Sequence, residues 1–323
     1  MQKLKLAILG AGGIAATMAE TVCKMEEAVL YAVAAREESR AKTFAEKYGV
    51  QKYFGSYEEM LKDDGIDLVY IATPHSHHFA HAKLCIDYGR PVLCEKAFTE
   101  NAREAGELLA YAEEKKVFIT EAMWVRYMPM SSMLREILDS GRIGKVIGLT
   151  ANLGYSLLHV ERMTRPELAG GALLDLGVYT LNFATWVLGD DVRSFATSMV
   201  RYDTGVDLQE FVDLVYPGGE TAGLFNTMQA VTDRKGYIYG TEGHIVTDNI
   251  NNFEAFHIYN NKYELVETIR RPEQISGYEY EILACKRALE EGRLECSEMP
   301  HEHTLYIMGL MDEIRKQWEC ENV

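Results

Sequence analysis

Cysteine pairs at metal-binding or redox spacing are missing from this sequence. Its six cysteines are scattered along 323 residues, and no two of them form a CxxC motif; they are Cys23, Cys85, Cys94, Cys285, Cys296 and Cys320. Scattered cysteines favour free thiols in a reducing compartment over a disulfide framework or a zinc site. We therefore expect a cytoplasmic protein without thiol redox chemistry.

Long hydrophobic runs are also missing from the amino-terminal part of the chain. The longest early apolar run covers only residues 28–35, and Lys3, Lys5 and Gly10 interrupt the segment before it. A helix needs about 20 apolar residues to cross a bilayer, and a signal peptide needs an uninterrupted apolar core. We expect neither membrane insertion nor export.

Positive charge is scarce. The chain has 33 lysines and arginines against 49 aspartates and glutamates, which gives a formal net charge of −16. Nucleic-acid phosphates would be repelled by such a chain, so a nucleic-acid partner is not expected. An anionic ligand would have to be held by local donors.

The pattern of the first part predicts an α/β domain over residues 1–122. Apolar runs and helical patterns alternate there, which is typical of a doubly wound parallel sheet of the Rossmann type. The predicted strands are 4–9, 29–34, 67–72, 91–94 and 117–121, and the predicted helices are 38–48, 57–62 (capped by Ser56), 78–88 and 99–115.

A second domain is expected over residues 123–323, because 323 residues exceed what one core usually holds. Its pattern predicts an α+β domain with a large, mostly antiparallel open sheet. Predicted strands cover 146–155, 193–202, 211–216, 222–229, 235–239 and 255–269, and predicted helices cover 128–140, 278–291 and 303–319.

A GxGxxA turn follows the first predicted strand. Gly10 permits the tight turn, Gly12 lets the backbone approach a pyrophosphate, and Ala15 allows close packing of helix on sheet. The amides of Gly13 and Ile14 would face the anion at the start of the next helix. Such a turn also occurs where nothing binds, so the surrounding strand pattern is needed to support a dinucleotide site.

The residue after the second strand predicts the preferred coenzyme. About 20 residues past Ala15, where an NAD-type site has an acid for the ribose, the chain has Ala35 followed by Arg36. A guanidinium can bind a 2′-phosphate through two parallel hydrogen bonds. We expect NADP(H) to be preferred and NAD(H) to be possible; alternatively, Glu37 or Glu38 binds the ribose and Arg36 is solvated.

Two further strands end in polar segments. Thr73, Pro74 and His75 follow one strand, and Glu95 and Lys96 follow the next. Open parallel sheets bind ligands at the carboxyl ends of their strands, so these residues are candidate coenzyme contacts.

The motifs together resemble the Gfo/Idh/MocA oxidoreductases. The resemblance lies in GAGGIA, ATPHSHH, VLCEKAFTENAREAGELL, EAMWVRYMP and GGALLDLGVYTL, in this order along both predicted domains. EAMWVRYMP and the tyrosine of the last motif are most similar to the branch of dimeric dihydrodiol dehydrogenases and NADP-dependent D-xylose dehydrogenases. Two departures from the family pattern are Ala97, where proline is usual, and His75, where many members have asparagine. Most members have histidine at the position of Tyr179, whereas that branch has tyrosine.

The resemblance implies a hydride transfer between a nicotinamide and a carbinol carbon. The hydroxyl must then lose a proton, and the developing alkoxide needs a donor. We assign proton transfer to Tyr179, electrostatic stabilisation to Lys96 and orientation to Asp175, which lies four residues before Tyr179 and so shares its face of a helix. The alternatives are a strand-end lysine in solvent, a helix cap and a core aromatic.

Other candidates are assigned on position. The resemblance places His75 in the coenzyme loop, and we add His78 and Arg126 to the coenzyme contacts. Trp124 and Tyr155 are candidate substrate contacts, although packing between the domains is an equal alternative for Trp124, Arg126 and the adjacent Tyr127. Tyr155, His159 and Arg162 lie in a segment that could cover the site.

The histidine cluster does not favour a metal. Four histidines stand within seven residues, at positions 75, 77, 78 and 81. His77, His81 and Cys85 follow one helical face, but the outer two are about 12 Å apart at 1.5 Å per residue, too far to share an ion. We read the histidines at 301 and 303 as part of a polar helix start.

These observations predict a cytoplasmic NADP(H)-dependent oxidoreductase that acts on a sugar, a polyol or a cyclic trans-diol. A homodimer through the second-domain sheet is implied by the resemblance. Two alternatives remain: a lyase or glycosidase that retains its nucleotide and oxidises its substrate transiently, and a nucleotide-sensing regulator without catalysis. The former usually has an NAD-type fingerprint, which this chain lacks, and the latter would be expected to lose the reactive set.

Overall fold

A computed structural model of the chain describes residues 3–320, which form two compact units. The first runs up to Tyr127 and also includes Gln274–Leu305; the second consists of Met128–Glu273 and the segment from Tyr306 onwards. The predicted division between residues 122 and 123 was a single cut, whereas the structure returns a late segment to the first unit. A helical pattern shows that a segment is amphipathic but not which sheet it packs on. The assignment of residues 274–305 to the first unit could therefore not be predicted from the local sequence.

The first unit is built on a parallel sheet of six strands in the order β3-β2-β1-β4-β5-β6. The strands are β1 (Leu4–Leu9), β2 (Ala28–Ala34), β3 (Lys52–Phe54), β4 (Leu68–Ile71), β5 (Val92–Glu95) and β6 (Ile119–Ala122). The helices between them are α1 (Gly13–Val22), α2 (Glu38–Tyr48), α3 (Tyr57–Leu61), α4 (His78–Asp87) and α5 (Ala102–Lys115). The predicted doubly wound sheet is thereby confirmed, with apolar strands buried on both faces as parallel sheets require.

Two details of this unit differ from the prediction. The short strand β3 was not predicted, because three residues carry no readable period. Helix α5 begins at Ala102 rather than Thr99, since Asn101 accepts a hydrogen bond from the Glu104 amide at 3.0 Å and caps the helix. Thr99 instead donates to the Asn101 carbonyl at 2.8 Å. The predicted cap at Ser56 is present and accepts from the Glu59 amide at 3.3 Å.

The second unit contains an eight-stranded sheet in the order β14-β13-β12-β11-β7-β10-β9-β8. Its strands are β7 (Val146–Gly154), β8 (Ser194–Arg201), β9 (Asp207–Val215), β10 (Thr221–Thr227), β11 (Gly236–Gly240), β12 (Gly243–Asp248), β13 (Ala255–Asn260) and β14 (Leu265–Arg270). Pairing is antiparallel except between β7 and β10. The predicted mostly antiparallel sheet is confirmed, although β12 was missed and the single strand predicted over 255–269 is a hairpin.

Helices complete the two units. They are α6 (Pro129–Asp139) and α7 (Val178–Leu188) in the second unit, α8 (Glu279–Glu290) in the first, and α9 (His301–Cys320), whose first turn counts with the first unit. Within the described residues, the stretch Pro166–Leu188 is the one helical segment long and apolar enough to cross a membrane, but 89% of its apolar window is buried inside the structure. Such burial is typical of a core helix.

Gly10 and Gly13 offer a matched test of the turn between β1 and α1. Gly10 has φ +103°, and a Cβ built there would lie 3.0 Å from the Ala72 carbonyl oxygen, whereas a Cβ at Gly13 meets nothing within 4 Å. We expect Gly10→Ala to lower the free energy of unfolding by about 1–3 kcal/mol through strain. Gly13→Ala should leave it unchanged or raise it by up to about 1 kcal/mol. Urea unfolding without coenzyme measures both, and equal stabilities would contradict this account of the turn.

Candidate active site

The turn after β1 forms an anion-binding helix start. Gly12 is the N-cap of α1 and has no side chain that could cap the helix. The first amides of α1 are therefore available to a ligand. A Cβ at Gly12 would meet only the Ala72 carbonyl oxygen, at 3.9 Å. The side of the turn that a pyrophosphate would use is therefore open, and the residues fit a dinucleotide.

A cavity of about 370 Å³ continues from this turn along α2. It is lined by Ala11, Gly12, Ala16, Ser39, Arg40, Thr43, Phe44, Lys47 and Tyr48. Sequence reasoning named Arg36 but missed Arg40, which lies in the first turn of α2 and lines this cavity. Burial raises the pKa of Tyr57, and Arg36 and Arg40 both oppose that shift, which places the two guanidinium groups near one hydroxyl.

Glu37 and Glu38, the alternative ribose ligands, flank the start of α2. Glu37 is the N-cap residue but makes no side-chain cap bond, and Glu38 begins the helix. A Cβ at Gly55 would lie 2.9 Å from the Glu38 Cβ, so the base of Glu38 packs against the turn after β3.

Histidines connect the segments that follow β4 and β5. His75 bonds through Nε2 to the Lys96 carbonyl at 3.1 Å. His78 bonds through Nδ1 to the Ala97 carbonyl at 2.9 Å and through Nε2 to the Thr73 carbonyl at 2.8 Å. His78 is fully buried, and its ring links the loop after β4 to the loop after β5.

The other histidines of the cluster stack on one another or bond to the loop. The rings of His77 and His81 lie edge to face with centroids 5.6 Å apart, and His81 Nδ1 is 3.0 Å from the Thr73 hydroxyl. Burial lowers the pKa of His81 to about 4, which leaves it neutral near pH 7. Among residues 3–320, no three histidine, cysteine, aspartate or glutamate side chains are grouped to hold a metal ion.

Lys96 leaves β5 in a tightly held segment. The Glu95 side chain is buried, accepts a hydrogen bond from the Tyr70 hydroxyl, and lies 3.3 Å from the Lys96 amide, which donates to it. The Lys96–Ala97 peptide bond is cis. The Phe98 amide, two residues after Lys96, donates to the buried Glu121 side chain on β6, and burial raises the pKa of Glu121 to about 7.

Trp124, Arg126 and Tyr127 lie in a 3-10 turn after β6 and pack within the first unit. The Trp124 ring stacks on Tyr278 with centroids 4.2 Å apart and planes 10° from parallel. Arg126 is 3.1 Å from His303 Nε2 and donates to the Glu298 carbonyl at 3.3 Å. The returning segment 274–305 therefore contacts Trp124 and Arg126 within the first unit, and Tyr278 had no signal in the sequence.

Asp175 lies in a π-helical turn, Leu173–Gly177, that leads directly into α7. Asp175 lies in the π-helical turn and Tyr179 in the first turn of α7. That the two share one face of this continuous helical segment stays a prediction. Asp175 Oδ1 is 3.0 Å from Arg162 Nη2 in an ion pair. Both Asp175 and Tyr179 are largely buried.

The segment around Tyr155 engages its own unit. The Tyr155 hydroxyl donates to Asn251 Oδ1 at 3.3 Å and accepts from Arg234 Nη1 at 3.1 Å. The Arg234 guanidinium also lies over the Tyr155 ring. Of the three residues proposed to cover the site, Arg162 is the one paired with a predicted catalytic side chain, and His159 is exposed.

The structure thus brings the predicted residues together in two groups. In the first unit, the glycine turn and the segments around Thr73 and Lys96 lie at the carboxyl ends of the adjacent strands β1, β4 and β5. This is where ligands bind in open α/β sheets. In the second unit, Asp175 and Tyr179 lie on consecutive turns of one segment.

Comparison with known proteins agrees with this arrangement. Residues 4–123 match the model of an oxidoreductase family with an NAD-binding Rossmann fold, GFO_IDH_MocA, and residues 132–246 match the GFO/IDH/MocA C-terminal domain. A D-xylose 1-dehydrogenase (NADP(+)) of Hypocrea jecorina is 32% identical over 372 residues, covering 97% of this chain and 92% of that protein. A human trans-1,2-dihydrobenzene-1,2-diol dehydrogenase is 34% identical over 305 residues, covering 92% and 90%.

A solved structure has the same fold. A 3-ketoreductase from Actinomadura kijaniata superposes with a TM-score of 0.89 at 24% identity and covers 98% of each chain. The resemblance inferred from the five motifs is thereby confirmed over both units: this chain belongs to the Gfo/Idh/MocA family of oxidoreductases.

Proposed function

We propose that this protein is an NADP(H)-dependent oxidoreductase that transfers a hydride between the nicotinamide and a carbinol carbon of a sugar, a polyol or a cyclic trans-diol. One observation carries the proposal. The similarity to a xylose dehydrogenase and to a dihydrodiol dehydrogenase extends over at least nine-tenths of each chain, and Lys96, Asp175 and Tyr179 are all present.

The proposed chemistry assigns one task to each side chain. The bound nicotinamide supplies the hydride acceptor or donor. Lys96 donates a hydrogen bond to the substrate oxygen and stabilises the alkoxide that develops on it. Tyr179 takes the hydroxyl proton as a phenolate in oxidation and returns it as a phenol in reduction. Asp175, paired with Arg162 at 3.0 Å, orients the substrate hydroxyl.

Paired lysine and tyrosine variants test these roles. Lys96→Met and Tyr179→Phe should each lower kcat by about 10²–10⁴-fold, the usual contribution of a proton-transfer or oxyanion-stabilising group. NADPH affinity should change little, because the dinucleotide turn is untouched. Lys83→Met is a matched control, since Lys83 is exposed on α4 and pairs with Asp87 at 3.4 Å. Normal turnover in Lys96→Met would remove that residue from the mechanism.

The substrate class is found by a screen of NADP⁺ reduction over pentoses, hexoses, inositols and trans-dihydrodiols. We expect one class to be oxidised with one NADPH formed for each product molecule. Product formation without net change in NADP(H) would indicate instead a lyase or glycosidase that retains its nucleotide. Coenzyme binding without turnover on any class would favour a regulator.

The preference for NADP(H) rests on the cationic side of the coenzyme cavity. Arg40 and Ser39 line the cavity together with Gly12, and Arg36 lies near Arg40 around Tyr57. A 2′-phosphate placed there gains charge-assisted hydrogen bonds, whereas the 2′-hydroxyl of NADH gains less.

Arginine removal should therefore weaken NADPH selectively. Hydrogen bonds to charged groups contribute about 1.5–3 kcal/mol, so Arg36→Ala and Arg40→Ala should each raise the Kd for NADPH by about 10–100-fold. The Kd for NADH should change by less than about threefold. Isothermal titration measures both, with the exposed Arg103 changed to alanine as a control. Tighter binding of NADH than NADPH by the unaltered protein would overturn the preference.

A homodimer through the second-unit sheet is also proposed. One face of this sheet has a row of paired aromatic rings: Phe211 stacks on Phe225 with centroids 4.5 Å apart, and His244 stacks on Tyr259 at 4.9 Å. The strand register places Tyr237 and Tyr239 on the same face between them. Phe211 is 52% exposed, and exposed apolar side chains that cluster on one face are typical of a protein interface.

Light scattering tests the dimer. We expect twice the 36.5 kDa chain mass for the unaltered protein, and a shift toward monomer for Phe211→Glu, because a carboxylate would be buried without a partner. Tyr53→Glu, at an exposed position on β3 of the first unit, is the control. A strict monomer at all concentrations would exclude this assembly.

A further inference from the structure

Two acidic side chains of β9 lie under the segment that carries Asp175 and Tyr179. Asp207 begins the strand, and its Oδ2 accepts a hydrogen bond from the Leu173 amide at 2.5 Å. That amide belongs to the first residue of the π-helical turn. Asp207 therefore fixes the start of the turn.

Glu210 contacts the other end of the same turn. Its side chain is 1% exposed, and a Cβ built on Gly177, the last residue of the turn, would lie 2.9 Å from Glu210 Oε1. A Cβ on Gly171, just before the turn, would lie 2.2 Å from Asp207 Oδ1. The turn thus rests on two carboxyl groups at positions where only glycine leaves room for them.

Asn226 links this support to α7. It lies directly opposite Glu210 in the register of β9 and β10, and its Oδ1 accepts from the Thr180 hydroxyl at 3.1 Å. Its Nδ2 lies on the Glu210 side, 3.5 Å from the same point above Gly177. Thr180 is the neighbour of Tyr179, so the contacts run from Glu210 through Asn226 to the residue next to the proposed proton donor.

We propose that Asp207 and Glu210 are positioning residues that hold the Leu173–Gly177 turn in its π-helical form and thereby place Asp175 and Tyr179. This inference rests on the proposed function for its kinetic consequences. Its structural part concerns the turn alone.

The surroundings of Glu210 favour its protonated form. Its own strand contributes the Asp207 carboxylate, the opposite strand contributes the amide of Asn226, and Arg315 of α9 opposes the rise in the pKa of Asp207. Above the turn, Arg162 is already paired with Asp175. Burial, followed by repulsion from Asp207, raises the pKa of Glu210 well above its usual range, and burial raises the pKa of Asp207 to about 6.

Three variants separate positioning from general stability. Glu210→Ala removes the support, Glu210→Gln keeps a neutral group of the same size, and Val212→Ala removes buried volume from the same face of β9 without touching the turn. We expect Glu210→Ala to lower kcat by tenfold or more at unchanged NADPH affinity. Glu210→Gln should stay within about threefold of the unaltered protein, and its activity should fall less at alkaline pH, where the carboxyl would ionise under Gly177.

Amide hydrogen exchange gives a readout that needs no substrate. Exchange over residues 171–180 should be at least tenfold faster in Glu210→Ala, unchanged in Glu210→Gln, and unchanged in Val212→Ala even though that variant melts at a lower temperature. If Glu210→Ala and Val212→Ala had equal exchange rates and equal kcat, Asp207 and Glu210 would contribute only to packing, and the positioning role would be wrong. If Glu210→Gln behaved like Glu210→Ala, the neutral-acid assignment would be wrong. If no substrate in the screen is turned over, the hydrogen-exchange comparison alone tests whether Glu210 holds the turn.

Discussion

The two segments that carry the proposed catalytic residues are each held by a backbone amide that donates to a buried carboxyl group. Glu121 accepts from the Phe98 amide just after Lys96, and Asp207 accepts from the Leu173 amide just before Asp175. In both places the chain leaves regular hydrogen bonding, so an amide would otherwise be buried without a partner. An unsatisfied buried amide is destabilising by about 1–3 kcal/mol, which makes each carboxyl a strong constraint on the local backbone.

The same carboxyl groups make stability depend on pH in a definite direction. Burial raises the pKa of Glu121 to about 7, whereas an unfolded glutamate titrates near 4.3. The folded protein therefore binds this proton more tightly than the unfolded chain does. The resulting stabilisation is complete below about pH 4 and is lost as the pH rises through about 7. Ionised Glu121 accepts hydrogen bonds more strongly, so the backbone geometry near Lys96 is retained while the folded state becomes less favourable.

Much of the fold could be predicted because its signals are local. The apolar run of β1, the glycines of the turn and the start of α1 are contiguous, and the order of strands and helices followed from alternation alone. Segments with weak local signals were missed: β3 has three mostly exposed residues, and β12 alternates over only six. The sequence predicted one strand where the structure has the hairpin of β13 and β14. The turn lies between Asn260 and Tyr263, whose φ is +62°, and the residues on both sides continue the same strand pattern.

The site was predictable where a motif carries its chemistry and unpredictable where a fold brings distant residues together. Lys96 and the glycine turn follow strand ends, so their position is implied by the sheet. Tyr278 lies far from Trp124 in sequence, and only the return of segment 274–305 to the first unit brings the two rings into contact. Glu210 likewise reads as one acid in an amphipathic strand, because its importance lies in the glycine above it on another element.

The acidic chain and its anionic coenzyme are compatible because electrostatic influence is short-ranged in salt. A net charge of −16 repels polyanions at a distance, but screening limits the effect of exposed charges to about 8 Å at physiological ionic strength. The amides at the start of α1 and two cations that line the adjoining cavity, Arg40 and Lys47, are the local donors available to the coenzyme. We therefore expect affinity for the coenzyme to be set by a few local donors rather than by the net charge of the chain.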